Sequence, residues 1–307
     1  AAGGTMCPSY RATRDEKDST RGRANALREF LTQSERKNSF NHKELKEVFD
    51  LCLSCKACAS ECPSNVDVAA LKAEFEYQYK KENGSSLRTR AFAFNAYLNK
   101  VGAVLPGVTN RLYKAKLSGR FIRKTLEVAP ERSLPPISKR TLRARFKKLK
   151  AFNPKQPIKT VYLFADEFTN YLDAQIGEDA VVLLQRLNYE VHIVAHAESG
   201  RSFISKGFLK EARKAAQNNI TIFKDLIDEE HPLVGIEPSA ILGFRDEYLR
   251  LAKDVDEAKA LAKNTFTIEE FLSAEIKAER IKASSFTTET KKLKIHGHCH
   301  QKSLSGI

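Results

Sequence analysis

Four of the six cysteines of this chain lie close together in the stretch CLSCKACASECP, at residues 52–63. They are spaced C-x2-C-x2-C-x3-C, and a proline follows directly. Thiolates bind zinc and iron–sulfur clusters. Three thiolates within seven residues can face one cubane cluster while nearby backbone N–H groups donate to the sulfurs, and the fourth thiol then points away. The spacing therefore predicts that Cys52, Cys55 and Cys58 bind one [4Fe–4S] cluster.

A second Cys-Pro pair lies near the N-terminus, in MCPSY, and contains Cys7. The run at 52–63 has the spacing found in bacterial ferredoxins, where the fourth cysteine of one run ligates the cluster of the other run. By this rule Cys7 completes the cluster predicted above, and Cys62 serves a second cluster. The other ligands of that second cluster would precede residue 1, so we expect the sequence to be a fragment.

Zinc binding and disulfide formation are the alternatives for these thiols. Zinc sites usually pair two C-x2-C elements across a longer loop, whereas here three cysteines at x2 spacing precede a Cys-Pro pair. Five cysteines fall early in the chain and Cys299 lies near the other end, which is a poor disulfide framework for 307 residues. The pattern favours the iron–sulfur cluster over both alternatives.

The positive charge of the chain is concentrated in one segment. The net charge is +14, yet residues 100–160 hold 17 Lys and Arg against two acids, so the rest of the chain sums to −1. One basic connector indicates a local contact, and no base-reading motif or stacking aromatic residues point to nucleic acid. No run approaches the roughly 18 apolar residues that cross a bilayer, and no secretory signal is visible. We expect a cytoplasmic protein, with peripheral contact at the inner membrane left open.

The chain divides by character into three predicted segments. Residues 1–84 form an all-helical module around the cysteines, and residues 85–155 form a basic, proline-containing helical connector. Residues 156–307 alternate strands and helices, which implies a parallel sheet with right-handed crossovers. The predicted fold class is α+β overall: an all-α ferredoxin-like module, then a Rossmann-like α/β domain that is incomplete at its C-terminus.

The predicted elements follow from hydrophobic periodicity and from turn residues. In the first segment, helical patterns occupy residues 19–33, 41–55 and 65–84. In the last segment, helices are predicted at 177–188 and 206–219, and strands at 159–165, 190–195, 233–238 and 292–298. The helix at 41–55 would deliver the first thiol of the run at its end.

Six stretches together resemble the C-terminal iron–sulfur portion of FAD-linked oxidases of the D-lactate dehydrogenase and glycolate oxidase type: AAGGTMCPSYRATRDEKDSTRGRANALREFL, the run at 52–63, FADEFTNYLDAQIG, ESGRSFISKG, GIEPSAILGFRDEY and HGHCHQKSL. Those enzymes join a flavin domain to a two-cluster ferredoxin module and a cysteine-rich CCG domain. The resemblance covers nearly the whole chain. It implies that the FAD-binding domain and the first three cysteines precede residue 1, and that more of the CCG domain follows residue 307.

The resemblance also implies that the CCG domain of this chain has lost cysteines. Typical CCG domains carry them after the first strand, in a Cys-Cys-Gly turn and after a later strand. The matching positions here hold Ala165, the ESG turn at 198–200 and Ala240, and none of these supplies a thiolate. Only Cys299 matches a ligand position, and its partners would lie beyond residue 307.

Polar side chains occupy the predicted strand ends instead: Asp166, Glu167, Glu198, Arg201, Glu237, Ser239 and Arg245. One interpretation is a small anion site around Arg201 and Arg245, in the crevice where parallel strands end. The other is that carboxylates and arginines pair with one another, because buried charges need partners. We favour pairing.

His296, His298 and His300 alternate around Cys299. In a strand, a period of two would place the three histidines on one face and the cysteine on the other, which argues against one shared metal site. We expect His298 and His300 to be hydrogen-bonded at the end of the strand predicted at 292–298.

The stretch KRTLRARFKKLK, at residues 139–150, places Leu142, Phe146 and Leu149 at helical spacing. Three interpretations stay open for it: the solvated face of a connector helix, docking on an acidic face of the flavin domain, or contact with anionic lipid.

With the resemblance, these patterns predict electron transfer from the flavin domain of a 2-hydroxyacid dehydrogenase, through [4Fe–4S] clusters, to a quinone or a carrier protein. By itself the fragment should lack dehydrogenase activity. Two alternatives are a stand-alone iron–sulfur subunit of the heterodisulfide-reductase type and a zinc-stabilised interaction module.

Overall fold

The computed structural model describes residues 7–305 and groups them into two units. The first unit contains residues 7–93, 202–211 and 296–305, and the second contains 94–201 and 212–295. The grouping assigns two short segments from later in the chain to the helical N-terminal unit. The predicted segments 1–84, 85–155 and 156–307 stay a prediction.

Helices build the first unit up to residue 93: α1 Pro8–Thr13, α2 Thr20–Gln33, α3 Lys43–Asp50, α4 Ala57–Glu61, α5 Val68–Asn83 and α6 Leu87–Ala93. The Ser19 hydroxyl accepts from the amide of Gly22 and fixes the start of α2. The core is small and centres on Phe49 and Phe75, whose stacked rings lie 5.3 Å apart. The predicted helices are therefore confirmed, with shifts of one to five residues at the ends of the second and third.

Four helices begin the second unit: α7 Asn95–Gly102, α8 Pro106–Lys114, α9 Lys116–Thr125 and α10 Leu142–Leu149. In α10, Leu142 and Phe146 are buried in the core of this unit, while Lys147 and Lys148 are exposed. The apolar side of the stretch 139–150 is therefore occupied by packing. This agrees with the first of its three interpretations, a connector helix with a solvated basic face.

A four-stranded parallel sheet forms the centre of the second unit. The strands are β1 Thr160–Phe164, β2 Glu190–His192, β3 Leu233–Gly235 and β4 Thr265–Thr267, in the spatial order β2-β1-β3-β4. The later helices are α11 Glu167–Tyr171, α12 Ala174–Arg186, α13 Arg201–Ser205, α14 Leu209–Phe223, α15 Pro238–Ile241, α16 Glu247–Leu251, α17 Val255–Lys263, α18 Ile268–Lys277 and α19 Cys299–Leu304. Short 3-10 helices lie at Glu16–Asp18, Lys150–Phe152, Leu242–Arg245 and Ala283–Ser285. The predicted Rossmann-like parallel sheet is confirmed.

The strand predicted at 292–298 is wrong. Residues 292–297 are irregular and mostly exposed, and Leu293 and Ile295 are 80% and 82% exposed. The fourth strand is β4, which directly precedes the N-terminus of α18. A segment with an alternating pattern forms a strand only where a neighbouring strand supplies backbone partners. Here β3 pairs with β4 and not with residues 292–298.

Candidate metal centre

The first unit brings together four of the cysteines that the spacing singled out. One cavity of the unit, at the N-terminal ends of α1 and α4, is lined by these four and ten neighbours: Cys7, Pro8, Ser9, Thr20, Arg23, Cys52, Leu53, Ser54, Cys55, Lys56, Ala57, Cys58, Val68 and Ala69. The space is about 440 Å³, including the part open to solvent. The cysteines come from two places in the chain: Cys7 caps the start of α1, and the other three follow α3.

The loop from Cys52 to Cys58 owes its shape to two unusual backbone conformations. Ser54 and Lys56 have φ values of 52° and 63°, in the left-handed region that non-glycine residues rarely adopt. Such turns direct successive N–H groups inwards and form an anion-binding concavity. The amide of Ala57 donates to the Cys55 sulfur, and the amides of Val68 and Ala69 donate to the Cys58 sulfur. Burial nevertheless raises the pKa of both thiols.

Arg23, from α2, brings a buried positive charge to the cavity. The residue is 1% exposed, and its Nη1 donates to the sulfur of Cys7 at 3.1 Å. The same guanidinium donates to the Ser9 hydroxyl and to the carbonyl of Val48, and it lies 3.6 Å from the Asp18 carboxylate. Burial alone would raise the pKa of Cys7, but the hydrogen bond with Ser9 and the charge of Arg23 together lower it.

Cys62 lies outside this set. It follows α4, it is not among the residues that line the cavity, and its sulfur accepts from the amides of Val66, Ser64 and Asn65. These hydrogen bonds lower the pKa of the Cys62 thiol. Its position relative to the cavity is what the two-cluster rule expects, although its assignment to a second cluster stays a prediction.

Four thiols that line one cavity form a donor set that a [4Fe–4S] cluster takes. Two thiolates on one tetrahedral zinc lie roughly 3.8 Å apart, because Zn–S bonds are about 2.3 Å long. Within residues 7–305, no three His, Cys, Asp or Glu side chains converge in the way that one metal ion requires. A cubane core has eight atoms and holds its four thiolates further apart. The residues present therefore fit a [4Fe–4S] cluster, with backbone amides at two of the ligand sulfurs and a cation beside the sulfur of Cys7.

Cys299 lies at the start of α19, beside this loop. Helix α19 packs against α4, and the Ser303 hydroxyl donates to the carbonyl of Cys55 at 3.1 Å. Cys299 is exposed and does not line the cavity, although its thiol is near enough to that of Cys55 to oppose its ionisation. Its assignment as a metal ligand stays a prediction.

The histidines beside Cys299 adopt a different structure from the one predicted. The Nδ1 atom of His298 accepts from the amide of His300 and caps α19, and the two rings stack at 5.5 Å. The expected hydrogen bonding of His298 is confirmed, but it occurs at a helix start. A helix start cannot place His296, His298 and His300 on one strand face, so the argument from a period of two does not apply.

In the second unit, polar side chains meet at the carboxyl ends of the strands, as predicted. Arg201 pairs with Glu247, and Arg245 forms two 2.8 Å bonds to the carboxylate of Glu270. Both arginines thus form ion pairs, as the pairing interpretation expects. Their carboxylate partners come from α16 and α18, which the analysis of strand ends had not included.

Two further carboxylates of this group are held by hydrogen-bond donors. Asp166 caps α11 by accepting from the amides of Phe168 and Thr169 and from the Thr169 hydroxyl. Glu167 accepts from the amide and the hydroxyl of Ser199. Burial, and then the neighbouring Glu167 charge, raise the pKa of Asp166 to about 7.

The raised pKa of Asp166 predicts an unusual dependence of stability on pH. The unfolded carboxyl ionises near pH 4, so between pH 4 and 7 the folded state binds more protons, and stability falls as the pH rises. We expect Asp166→Asn, which keeps the capping acceptor, to gain about 2 kcal/mol relative to wild type between about pH 5.5 and pH 8. Urea unfolding of both proteins, followed by circular dichroism, measures this difference. A constant difference across that range would contradict the assignment.

Comparison with known proteins agrees with the geometry of the first unit. Residues 4–66 match the family model of the 4Fe-4S dicluster domain. That range contains the five cysteines from Cys7 to Cys62. No solved structure matches the chain.

Relatives among characterised proteins extend the match along the chain. The chain is 26% identical over 283 residues to D-2-hydroxyglutarate dehydrogenase of Haemophilus influenzae, covering 79% of this chain and 28% of that protein. The match to D-2-hydroxyglutarate dehydrogenase of Escherichia coli is 26% over 302 residues, or 84% and 30%. Lactate utilization protein A of Bacillus subtilis is 28% identical over 152 residues, or 48% and 60%. The predicted resemblance to the iron–sulfur portion of hydroxyacid-oxidising enzymes is confirmed, and the chain spans less than a third of the two dehydrogenases.

Arg23 lines the candidate site but was not among the residues singled out from the sequence. Nothing in TRGRANALREFL distinguishes Arg23 from Arg21 by composition, yet Arg21 is exposed and pairs with Glu16. The available signal was helical spacing, since Arg23 lies four residues before Leu27 and therefore on the face that packs into the core.

Proposed function

We propose that this chain conducts electrons through a [4Fe–4S] cluster bound by Cys7, Cys52, Cys55 and Cys58, as part of an FAD-linked 2-hydroxyacid dehydrogenase. The observation that carries the proposal is that these four thiols line one cavity although the first two are 45 positions apart in the sequence. When bound, such a cluster supplies a site that accepts and releases single electrons.

The side chains around the cavity have separate roles in this proposal. The four thiolates hold the cluster, and the amides of Ala57, Val68 and Ala69 stabilise negative charge on two of the sulfurs. Arg23 offsets part of the negative charge at the Cys7 sulfur. Cys62 serves a second cluster, as the two-cluster rule predicts.

The names of the relatives support the substrate class. Two of the proteins matched over most of this chain are D-2-hydroxyglutarate dehydrogenases, and a third is named for lactate utilization. We assign oxidation of the 2-hydroxyacid to an FAD-binding domain of the same full-length protein. Electrons would pass from it, through this chain, to a quinone or an electron-carrier protein, with the protein on the cytoplasmic side.

Metal analysis and spectroscopy of anaerobically prepared protein test the proposal. We expect about four iron atoms and four sulfides for each complete cluster, with a broad absorbance near about 400 nm that dithionite bleaches. One zinc per chain without iron would reject the proposal in favour of the zinc-stabilised interaction module.

A stand-alone electron-transfer subunit is the second candidate. The observation that favours it is that the match to Lactate utilization protein A covers 60% of that protein, against 28% and 30% of the two dehydrogenases. A reading frame that continues upstream of Ala1 into a flavin domain would reject this candidate. A stop codon there would reject the fused arrangement and leave the cluster assignment unaffected.

A further inference from the structure

The segment from α7 to α9 exposes an unusual number of large apolar side chains. Those at least 46% exposed are Tyr97, Leu98, Val101, Val104, Leu105, Val108, Leu112, Leu117 and Phe121. Leu117 and Phe121 are 88% and 70% exposed, and they lie one helical turn apart on α9. Spacings of three and four residues also relate Leu105, Val108 and Leu112 along α8. We call this set the apolar face.

Along the sequence, the residues of the apolar face are interspersed with cations and not with acids. Between residues 83 and 126 the sequence contains no Asp or Glu. Seven cations lie on or beside α7, α8 and α9: Lys100, Arg111, Lys114, Lys116, Arg120, Arg123 and Lys124. All except the half-buried Arg123 are exposed.

We propose that the apolar face and its cations bind the surface of an anionic lipid bilayer. Exposed leucine, valine and phenylalanine side chains combined with lysine and arginine are what amphipathic helices use to lie in the headgroup layer. Each cation near such a surface contributes further attraction, which salt screens. Helices α8 and α9 pack against each other, and each of them exposes large apolar side chains.

Charge complementarity favours lipid over a protein partner. The centres of protein–protein interfaces are depleted of lysine, whereas here Lys114 and Lys116 lie between Leu112 and Leu117 along the chain. Within residues 7–305, no helix is both long and apolar enough to cross a bilayer, so the contact is peripheral. The proposal does not depend on the cluster or on the proposed function. It moves the expected lipid contact from residues 139–150, whose apolar side is buried, to residues 97–124.

Co-sedimentation of the whole chain with lipid vesicles tests the proposal. The vesicles are phosphatidylcholine alone, or phosphatidylcholine with about one third phosphatidylglycerol, each at low salt and at about 0.5 M NaCl. We expect binding to the anionic vesicles at low salt and release at high salt. Wild-type protein that stays in the supernatant with anionic vesicles at low salt would overturn the proposal and leave the apolar face to a protein partner.

The variant Leu117→Glu with Phe121→Glu should weaken vesicle binding by about tenfold or more. The matched control is Leu293→Glu with Phe152→Glu, because those residues are 80% and 72% exposed and lie outside the face. A third variant, Lys116→Gln with Arg120→Gln and Lys124→Gln, keeps the apolar residues and should lose the preference for anionic vesicles. Equal weakening in the first variant and its control would overturn the proposal. Unchanged melting curves show that each variant is folded.

Discussion

Replacing Cys52 by serine should remove the iron from the cavity and loosen the helical unit. Serine oxygen is a poor ligand for iron–sulfur clusters, so iron should fall from about four atoms to below one per chain. The carbonyl of Cys52 accepts from the Lys72 ammonium at 2.6 Å, and Cys58 packs against the core of Phe49 and Phe75. Loss of the cluster should therefore disturb the packing of the small core directly.

The expected loss of stability is large because metal binding and folding are coupled in small modules. The core of this unit contains five buried side chains as its centre: Leu27, Leu45, Phe49, Val68 and Phe75. We expect the melting temperature of this unit to fall by more than about 10 °C, measured by circular dichroism under anaerobic conditions.

Cys62→Ser is the matched control for that experiment. It is the same chemical change, in the same sequence run, at a thiol that does not line the cavity. Iron bound at the cavity and the melting temperature should stay close to wild type. Equal loss of iron in both variants would show that the four-ligand assignment is wrong.

Replacing Arg23 by glutamine should make the cluster harder to reduce. Reduction adds negative charge, and a buried cation 3.1 Å from a ligand sulfur stabilises that charge. At an effective dielectric constant near 20, one unit charge a few ångström from the cluster changes the potential by on the order of 100 mV, so the potential should become more negative by about that amount. Spectroelectrochemical titration of wild type and variant measures the shift.

Two further variants separate this effect from damage to the fold. Arg21→Gln removes the same type of charge from the same helix at an exposed position, and it should leave the potential nearly unchanged because solvent screens it. Asp18→Asn removes the acid that lies 3.6 Å from Arg23, and it should shift the potential in the positive direction. A negative shift in both Arg23→Gln and Asp18→Asn would indicate structural disturbance and contradict the electrostatic account.

The sequence predicted the ligands of the candidate site more completely than their surroundings. Cysteine spacing is a local property, so the cavity of Cys52, Cys55 and Cys58 could be anticipated, and the two-cluster rule added Cys7. The contributions of Arg23 and of the α19 residue Ser303 depend on which helix faces meet. Arg23 is 16 positions from its partner Cys7 in the sequence, and Ser303 is 248 positions from its partner Cys55.

The difference between local sequence patterns and contacts that depend on packing also explains which elements of the second unit were predicted incorrectly. Strands β1 and β3 lie within continuous apolar runs and were predicted within a few residues. Strand β4 is as short as β3 but has one apolar residue between two threonines, so no apolar run marks it. Residues 292–298 alternate well but pair with no strand. The ion pairs of Arg201 and Arg245 were expected in kind, but their partners Glu247 and Glu270 could not be identified without the packing of α16 and α18.

The iron content of Cys7→Ser tests the central claim most directly. Cys7 lies far from the other three ligands in sequence, and its assignment rests on the crossing of ligands between two cysteine runs and on the shared cavity. We predict that anaerobically prepared Cys7→Ser loses the complete cluster, to a three-iron species or to apoprotein, while Cys62→Ser retains it. A four-iron cluster with wild-type absorbance and wild-type electron paramagnetic resonance in Cys7→Ser would contradict the account.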